Sequence, residues 1–270
     1  MKEKLKIVTI GDYKDSILEK SFKDNENIEF LELALNEKLE DLNTNFSKRD
    51  IVFLRTNTEN LEKLLEVGKT FKEKEIVTVT VLEEKFVIKN KEILENTINA
   101  IFPVIKRNDI ENLLAELLKM IDNIISKTCF ITLDFEDIKI TLKNLGITIF
   151  GTLNTNKQIS EKEIIENLNY PFYNKTLKDS KKILVFLDTL EEVELTESQI
   201  ITDVLMNETK NKIKDVMFSM RIDNSLKNRV ECSFIAGVFR ENEEEIKVNK
   251  EVIDDETEDI FKALGNFLIK

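Results

Sequence analysis

Histidine and tryptophan are absent from this 270-residue sequence, which also has only six glycines, two prolines and two cysteines. The missing histidine removes the usual general base, the usual zinc ligand and the third member of a hydrolase triad. Any chemistry therefore has to rest on carboxylates, hydroxyls, lysines or a bound cofactor. We expect no metal site.

Long apolar runs are also missing. No run approaches the ~20 residues needed to cross a bilayer, and the first residues lack the apolar centre of a signal peptide. We therefore expect a cytoplasmic protein without a membrane span. In such a reducing compartment Cys129 and Cys232 are expected to be small buried apolar residues, with a disulfide between them as the alternative.

The sequence has fewer basic than acidic side chains, 40 against 52, which gives a net charge of −12. Proteins that follow a nucleic-acid backbone do so with clustered Lys and Arg, so we expect no nucleic-acid partner. Residues 241–270 hold ten acidic and four basic side chains, a net charge of −6 and half of the total. We interpret these residues as a solvated acidic tail.

The first half of the chain alternates between two periodicities. Short runs rich in Val, Ile and Phe are typical of strands buried on both faces. They occur at Leu5–Ile10, Ile28–Leu35, Ile51–Leu54, Ile76–Leu82 and Ile101–Ile105. Polar stretches with helical spacing, such as Glu59–Thr70, lie between them. This alternation predicts a Rossmann-like α/β domain with a parallel sheet.

One long helix is predicted from Ile110 to Ile125, because apolar residues recur there with a period of about 3.6 residues. Asn108 or Asp109 is a suitable N-cap. The apolar stripe is broad, so we expect this central helix to pack against the chain on both sides.

The second half has a different order of elements. We predict helices at Phe135–Leu145 (ending at Gly146), Ser160–Asn167 and Glu197–Glu208, and strands at Lys182–Asp188, Asp215–Ile222 and Val230–Phe239. This pattern indicates an α+β domain with about four strands. The predicted divisions are 1–107, the central helix at 108–127, 128–240 and the tail at 241–270.

Several strings in the second half resemble FtsZ, in the same order and at nearly the same spacing. Ile131–Ile138 (ITLDFEDI) resembles a loop that reads Asn-x-Asp-Phe-x-Asp-Val in that family. The other matching strings are Leu145–Thr152, Tyr170–Phe172, Lys182–Phe186 and Arg229–Val238. The chain is therefore identified as a divergent relative of the FtsZ/tubulin family, and the resemblance covers about residues 128–239.

The resemblance implies a GTP site built from glycine-rich loops, and this sequence departs from that pattern. Such loops work because glycine lets backbone amides approach phosphates at a helix start. Only Gly11 and Gly68 occur in the first 145 residues. The first loop reads Gly11-Asp12-Tyr13-Lys14-Asp15, so two carboxylates stand where phosphate oxygens would lie. We therefore expect no cofactor, with GTP or GDP bound only if the alternative below is correct.

Three residues remain as candidates for a degenerate nucleotide site. They are Gly11, Arg55 and Thr58. Arg55 and the Thr58 hydroxyl are suited to holding a small anion at a helix start, although a helix cap explains Thr58 equally well.

The resemblance implies a second functional site at the loop that contains Asp134. In FtsZ this loop completes the hydrolytic site of the neighbouring subunit, and its acidic side chains polarise the attacking water. Asp134 and Asp137 match the two acidic positions, while Thr132 replaces an amide-bearing Asn. The alternative is structural, because Asp134 is well placed to cap the helix that begins near Phe135.

The end of the tail is loosely similar to the peptide with which FtsZ docks on membrane tethers. Its apolar residues fall on one helical face, which suits a groove-binding peptide that would contact a division-protein partner. They are Ile260, Phe261, Leu264, Phe267 and Leu268. The alternative is a terminal helix folded back on the body of the protein.

Three functional hypotheses follow. The first is an FtsZ-like protein of the cell-division or cytoskeletal system that has lost GTP binding. It would act through contacts with FtsZ, FtsZ-like subunits or itself, as a filament partner, cap or regulator. The second is an aberrant but active GTPase that polymerises. The third is a Rossmann-type module with an unrelated ligand, whose second half would not superpose on FtsZ.

Overall fold

The first strands of the chain are buried on both faces and pair in parallel. A computed structural model describes residues 3–11, 17–41, 46–56, 60–178, 180–210, 213 and 215–237. Its first half supplies β1 (Leu5–Ile10), β2 (Ile28–Leu33), β3 (Ile51–Thr56), β4 (Val77–Glu83) and β5 (Ala100–Val104). Every residue of these strands is buried except in β2, which is half-exposed over most of its length. The predicted alternation of strand and helix is confirmed.

Helices cover both faces of this part of the sheet. They are α1 (Ile17–Phe22), α2 (Leu61–Glu73), α3 (Glu84–Lys89) and α4 (Lys91–Thr97), and one turn of 3-10 helix covers Leu39–Asp41. Leu18 of α1 belongs to the core on one face, whereas Phe71 of α2 and Leu94 of α4 belong to the core on the other.

The long central helix is α5 (Asp109–Ser126). Its apolar stripe lies in a core that also contains residues of the early strands and Leu184, Phe186 and Ile235 from the second half. The helix therefore packs against both halves of the chain, as its broad stripe predicts. Asn108 occupies the N-cap position, but its side chain makes no capping hydrogen bond.

The second half continues the sheet. Its elements are α6 (Phe135–Leu142), β6 (Gly146–Thr155), α7 (Glu161–Asn167), β7 (Lys182–Thr189), α8 (Leu195–Glu208), β8 (Asp215–Ile222) and β9 (Val230–Gly237). The nine described strands have the order β2-β1-β3-β4-β5-β6-β9-β7-β8. β9 is antiparallel to both of its neighbours, and β7 and β8 are parallel.

The end of α6 differs from the prediction. The helix ends at Leu142, three residues before the expected end, and two residues with positive φ follow it: Asn144 at 57° and Gly146 at 68°. Asn tolerates this left-handed conformation, so it takes the position that the sequence pattern gives to glycine. Gly146 instead opens β6, where it pairs with Ala100.

Cys129 and Cys232 are both buried with free thiols, so the apolar interpretation is confirmed and the disulfide is wrong. Burial raises the pKa of the Cys232 thiol to about 12. Within the described residues, no helix combines the length and the apolar character needed to cross a membrane.

Candidate functional site

Gly11 and Arg55 lie at the carboxyl edge of the parallel sheet, where open α/β sheets bind their ligands. Gly11 directly follows β1, and Arg55 lies near the end of β3 opposite Thr9 of β1. The structure therefore brings these two predicted residues to one edge. Thr58, the third, lies outside the described residues, as do Asp12 and Asp15 of the first loop.

Position 11 requires glycine for two reasons: its backbone conformation and the close approach of the Asn60 side chain. Its φ is +84°, and a Cβ atom at this position would meet the Asn60 amide nitrogen at 2.7 Å. The same nitrogen donates a long hydrogen bond of 3.4 Å to the carbonyl of Ile10. The amide of Asn60 therefore lies directly over Gly11. No pattern in the sequence pointed to Asn60.

Arg55 is fully buried and forms ion pairs with two carboxylates. Its Nη2 lies 2.6 Å from Oε1 of Glu111 in the first turn of α5, and its Nη1 lies 3.3 Å from Oε1 of Glu19 in α1. A buried guanidinium needs such partners, because an unpaired buried charge is costly. The pairs join α1, β3 and α5. No pattern in the sequence pointed to Glu19 or Glu111.

Gly68, the other glycine of the first half, lies away from this edge. It is buried in α2, where an added Cβ would meet the side chains of Ile98 and Thr97. Its small size allows α2 to approach the end of α4. This glycine therefore serves helix packing and does not contribute to a loop at the carboxyl edge.

Asp134 and Asp137 form a reciprocal capping box at the start of α6. The Asp134 carboxylate accepts a hydrogen bond of 2.8 Å from the Asp137 N–H, and the Asp137 carboxylate accepts one of 2.8 Å from the Asp134 N–H. Both hydrogen bonds stabilise the first turn. The cap by Asp134 was expected from the sequence as the structural alternative, whereas the reciprocal bond to the Asp137 carboxylate was not. Asp134 and Thr132 are exposed and Asp137 is half-buried, so the box is accessible from solvent.

The segment before this cap is fixed to edge strand β8. Ile131 and Met220 exchange two main-chain hydrogen bonds of 3.1 Å, and the Ser219 hydroxyl donates to the Ile131 carbonyl at 2.9 Å. Phe130, next to this bridge, leaves 65% of its side chain exposed. Covering this ring with an apolar surface of a partner would be favourable, because it removes apolar area from water. No pattern in the sequence distinguishes Phe130 as an exposed residue, because its neighbours Cys129 and Ile131 are apolar as well.

The two candidate sites lie beyond opposite ends of α5. Glu111, which binds Arg55, is in its first turn, and the segment from Phe130 to Asp137 follows its last residue. With 18 residues, α5 is about 27 Å long. One subunit therefore cannot combine these groups in a single site. The tail residues Ile260, Phe261, Leu264, Phe267 and Leu268 lie outside the described residues.

A small polar cavity of about 150 Å³ lies between α5 and strands β6, β7 and β9. Its lining includes Glu116, Lys119 and Asp188. Burial raises the pKa of the Asp188 carboxyl, while hydrogen bonds from Arg221 act in the opposite direction. Two nitrogens of Arg221 donate to the Asp188 carboxylate. This acid of the cavity lining is therefore already paired.

No model of a known protein family matches the sequence, and no curated protein sequence matches it significantly. Solved structures do match the fold. An FtsZ W319Y mutant of M. jannaschii has a TM-score of 0.60 and 15% identity, covering 87% of this chain and 91% of that chain. An empty FtsZ dimer of M. jannaschii has a TM-score of 0.62 and 15% identity, covering 88% of each chain.

TubZ of Bacillus thuringiensis serovar israelensis, solved as GDP-form protofilaments, has a TM-score of 0.61 and 10% identity, covering 90% of this chain and 87% of that chain. Similarity at this level of identity concerns the fold. It extends over both halves of the chain, so the prediction of the third hypothesis, that the second half would not superpose on FtsZ, is wrong. This protein has an FtsZ/tubulin-like fold.

Proposed function

We propose that this protein is an FtsZ-like subunit of a bacterial cell-division or cytoskeletal system that does not bind GTP and acts in the cytoplasm through protein contacts. The observation that carries the proposal is the pairing at the carboxyl edge of the sheet. Arg55 is bound by two carboxylates of its own chain, and Asn60 covers Gly11. A phosphate cradle at this edge would need hydrogen-bond donors that are free to bind phosphate oxygens. The Arg55 guanidinium and the Asn60 amide are instead engaged by other groups of this chain.

The kind of contact follows from the positions of the two candidate sites. They lie beyond opposite ends of α5, so a contact that used both would join the end of one subunit to the start of the next. Such a head-to-tail interface is heterologous and produces filaments when its rotation does not close. The similar TubZ structure consists of protofilaments. Contacts with FtsZ, with FtsZ-like subunits or with a second copy all fit this geometry.

Phe130 and the capping box form the surface that we assign to the partner. A subunit that offers this surface but lacks a nucleotide at its other end would join one end of a filament without accepting the next subunit. It would therefore act as a cap or regulator. The acidic tail, whose apolar end lies outside the described residues, is a second candidate contact for a division protein.

Co-sedimentation with the cognate FtsZ in the presence of GTP tests this function. We expect the wild-type protein to sediment with the filaments and Phe130→Asp to remain in the supernatant. The matched control is Ile165→Asp, because Ile165 is 54% exposed on α7 and lies outside the segment from Phe130 to Asp137. If both variants sediment like the wild type, or if the wild type never sediments, the proposed surface is wrong.

An active GTPase is the second candidate, and one observation favours it. Asp134 and Asp137 keep their carboxylates at the solvent-accessible start of α6, where a neighbouring subunit's nucleotide could be reached. Under this alternative the purified protein polymerises alone with GTP and releases phosphate. Under our proposal it does neither.

A further inference from the structure

The two edges of the nine-stranded sheet differ in how they are covered. β2 and β8 are the edge strands. The outer edge of β8 is partly closed, because Ile131 pairs with Met220. In the part of the chain that the structure describes, β2 pairs with β1 alone. An uncovered edge strand is able to accept a further strand from another chain.

The main-chain groups of Phe30 and Glu32 point away from the sheet. Asn27 and Leu33 turn their carbonyls to β1, where they accept hydrogen bonds from Leu5 and Gly11. The direction of the main-chain N–H and C=O groups alternates from residue to residue along a strand. Those of Phe30 and Glu32 therefore point outward, away from β1. Among the described residues, none hydrogen-bonds these outward groups. They offer two donors and two acceptors to an incoming strand.

Both ends of this edge are held in place. Before β2, the side-chain amides of Asn25 and Asn27 donate to the two carboxylate oxygens of Asp122 in α5, at 2.8 and 3.1 Å. After β2, the Ala34 N–H donates to the Glu37 carboxylate at 3.0 Å. The edge is therefore ordered before a partner arrives, which lowers the entropic cost of docking.

Apolar side chains flank the open groups on both faces of the sheet. Phe30 is half-buried against the core that contains α5, and Leu31 is half-buried against the core that contains α2. Leu35, just after the strand, is 52% exposed. An added strand would place its alternate side chains over these residues.

The edge lies in a strongly acidic segment. Residues 24–41 contain seven acidic side chains against one basic side chain, Lys38, a net charge of −6. Glu26, Glu32 and Glu40 are among the exposed ones. Two such edges from separate copies would repel each other, because like charges opposite one another are unfavourable. A cationic strand would be attracted.

We propose that the outer edge of β2 is a docking site for an extended, lysine- or arginine-bearing segment of a partner protein, which adds to the sheet as a further strand. The outward groups of Phe30 and Glu32 hydrogen-bond this segment. Phe30 and Leu31 contact its apolar side chains, and the acidic segment selects its charge. This surface is separate from Phe130 and the capping box, and its occupation requires no nucleotide.

A titration of the full-length protein with a fluorescein-labelled peptide that alternates lysine and valine tests the proposal by fluorescence anisotropy. A control peptide carries the same lysines but has proline in place of valine, so it keeps the charge and cannot complete the strand hydrogen bonds. Glu32→Lys reverses one charge on the edge. Asp203→Lys, at an exposed position of α8, makes the same change elsewhere.

We expect the proline peptide to bind about tenfold more weakly than the alternating one, and Glu32→Lys to weaken binding of the alternating peptide about tenfold. Asp203→Lys should change the affinity by less than about twofold, since it leaves the edge intact. Amide exchange followed by NMR should slow at Phe30 and Glu32 when the peptide binds.

Three results would overturn the proposal. Equal binding of both peptides would mean that charge alone attracts them. Equal effects of Glu32→Lys and Asp203→Lys would place the peptide elsewhere. A wild-type dimer in solution, with the Phe30 and Glu32 amides protected before any peptide is added, would assign the edge to a second copy of this chain.

Discussion

The guanidinium of Arg55 lies 2.6 Å from a carboxylate oxygen of Glu111, across the junction of β3 and α5. Arg55 is fully buried, and its second partner, Glu19, lies on α1. The ion pairs therefore fix two helices to the carboxyl edge of the sheet. In proteins that bind a nucleotide at such an edge, the ligand itself supplies the negative charge. Here the chain supplies it.

Replacement of Arg55 is expected to destabilise the fold. Arg55→Met should lower the free energy of unfolding by about 3 kcal/mol, because it leaves two carboxylates without their cation. The double variant Arg55→Met/Glu111→Gln should lose less than the sum of the two single changes. Urea unfolding measures these values.

The matched control is Arg107→Met, because Arg107 is exposed close to the start of α5. It should change the free energy of unfolding by less than about 0.5 kcal/mol. If Arg55→Met is equally mild, the buried ion pairs are not what holds α1 and α5 to the sheet.

The capping role of Asp134 can be separated from a role in partner binding. Asp134→Ala should lower the free energy of unfolding by about 1 kcal/mol, because the Asp137 N–H loses its acceptor. Asp134→Ser should restore most of that loss, since serine caps a helix without carrying charge. Chemical denaturation of the three proteins gives the comparison. An Asp134→Ala variant as stable as the wild type would contradict the capping role.

The same two variants report on the partner surface. If the Asp134 carboxylate contacts a filament, Asp134→Ser should weaken co-sedimentation with FtsZ while keeping the stability of the fold. If Asp134 acts as a cap alone, Asp134→Ser should sediment like the wild type.

Gly151 in β6 faces the ring of Phe234 on β9, and the two residues are direct cross-strand partners. A Cβ atom on residue 151 would collide with that ring. Gly151→Ala should therefore lower the free energy of unfolding by about 2 kcal/mol through overpacking. Combining it with Phe234→Leu, which removes the ring, should cost less than the sum of the two single changes. Strict additivity would show that the collision is relieved in another way.

The pair between Glu197 and Arg229 makes stability depend on pH. Arg229 donates to both carboxylate oxygens, at 2.9 and 2.7 Å, and these hydrogen bonds hold the pKa of Glu197 below its ordinary value of 4.5. A depressed carboxyl pKa stabilises the fold above the unfolded value, and this contribution is lost as the pH falls through the folded value. Stability from this pair should therefore be lost below pH 4.5.

Glu197→Gln isolates this contribution. The variant should be less stable than the wild type at neutral pH, and the difference should shrink at about pH 3, as measured by urea unfolding at both values. A difference that stays constant with pH would mean that the carboxylate charge does not contribute.

Local patterns predicted most of the fold. The runs that begin at Leu5, Ile51 and Lys182 are confirmed as strands because buried Val and Ile repeat within each run. The Asp134 cap is confirmed for a similar reason, since its partner Asp137 is only three residues away. The predicted end of α6 was wrong because Asn144, and not a glycine, takes the left-handed position. β6, which begins at Gly146, was recognised as a family string and not as a strand.

The candidate site depends on contacts that local patterns do not contain. Arg55 meets Glu19 and Glu111 across 36 and 56 residues of sequence. The openness of the β2 edge likewise follows from strand order and not from the run at Ile28. Gly11 was identified as a candidate because glycine is rare in the first half of the sequence. The contact between Asn60 and Gly11 follows only from the fold.

GTP binding at equilibrium tests the central claim most directly. The purified full-length protein is titrated with radiolabelled GTP and Mg²⁺ in equilibrium dialysis, and phosphate release is followed in the same samples. We predict no saturable binding up to about 1 mM GTP, which corresponds to less than about 4 kcal/mol of binding free energy, and no release of phosphate. Saturable micromolar binding, with phosphate release that Asp134→Ser removes, would contradict the account.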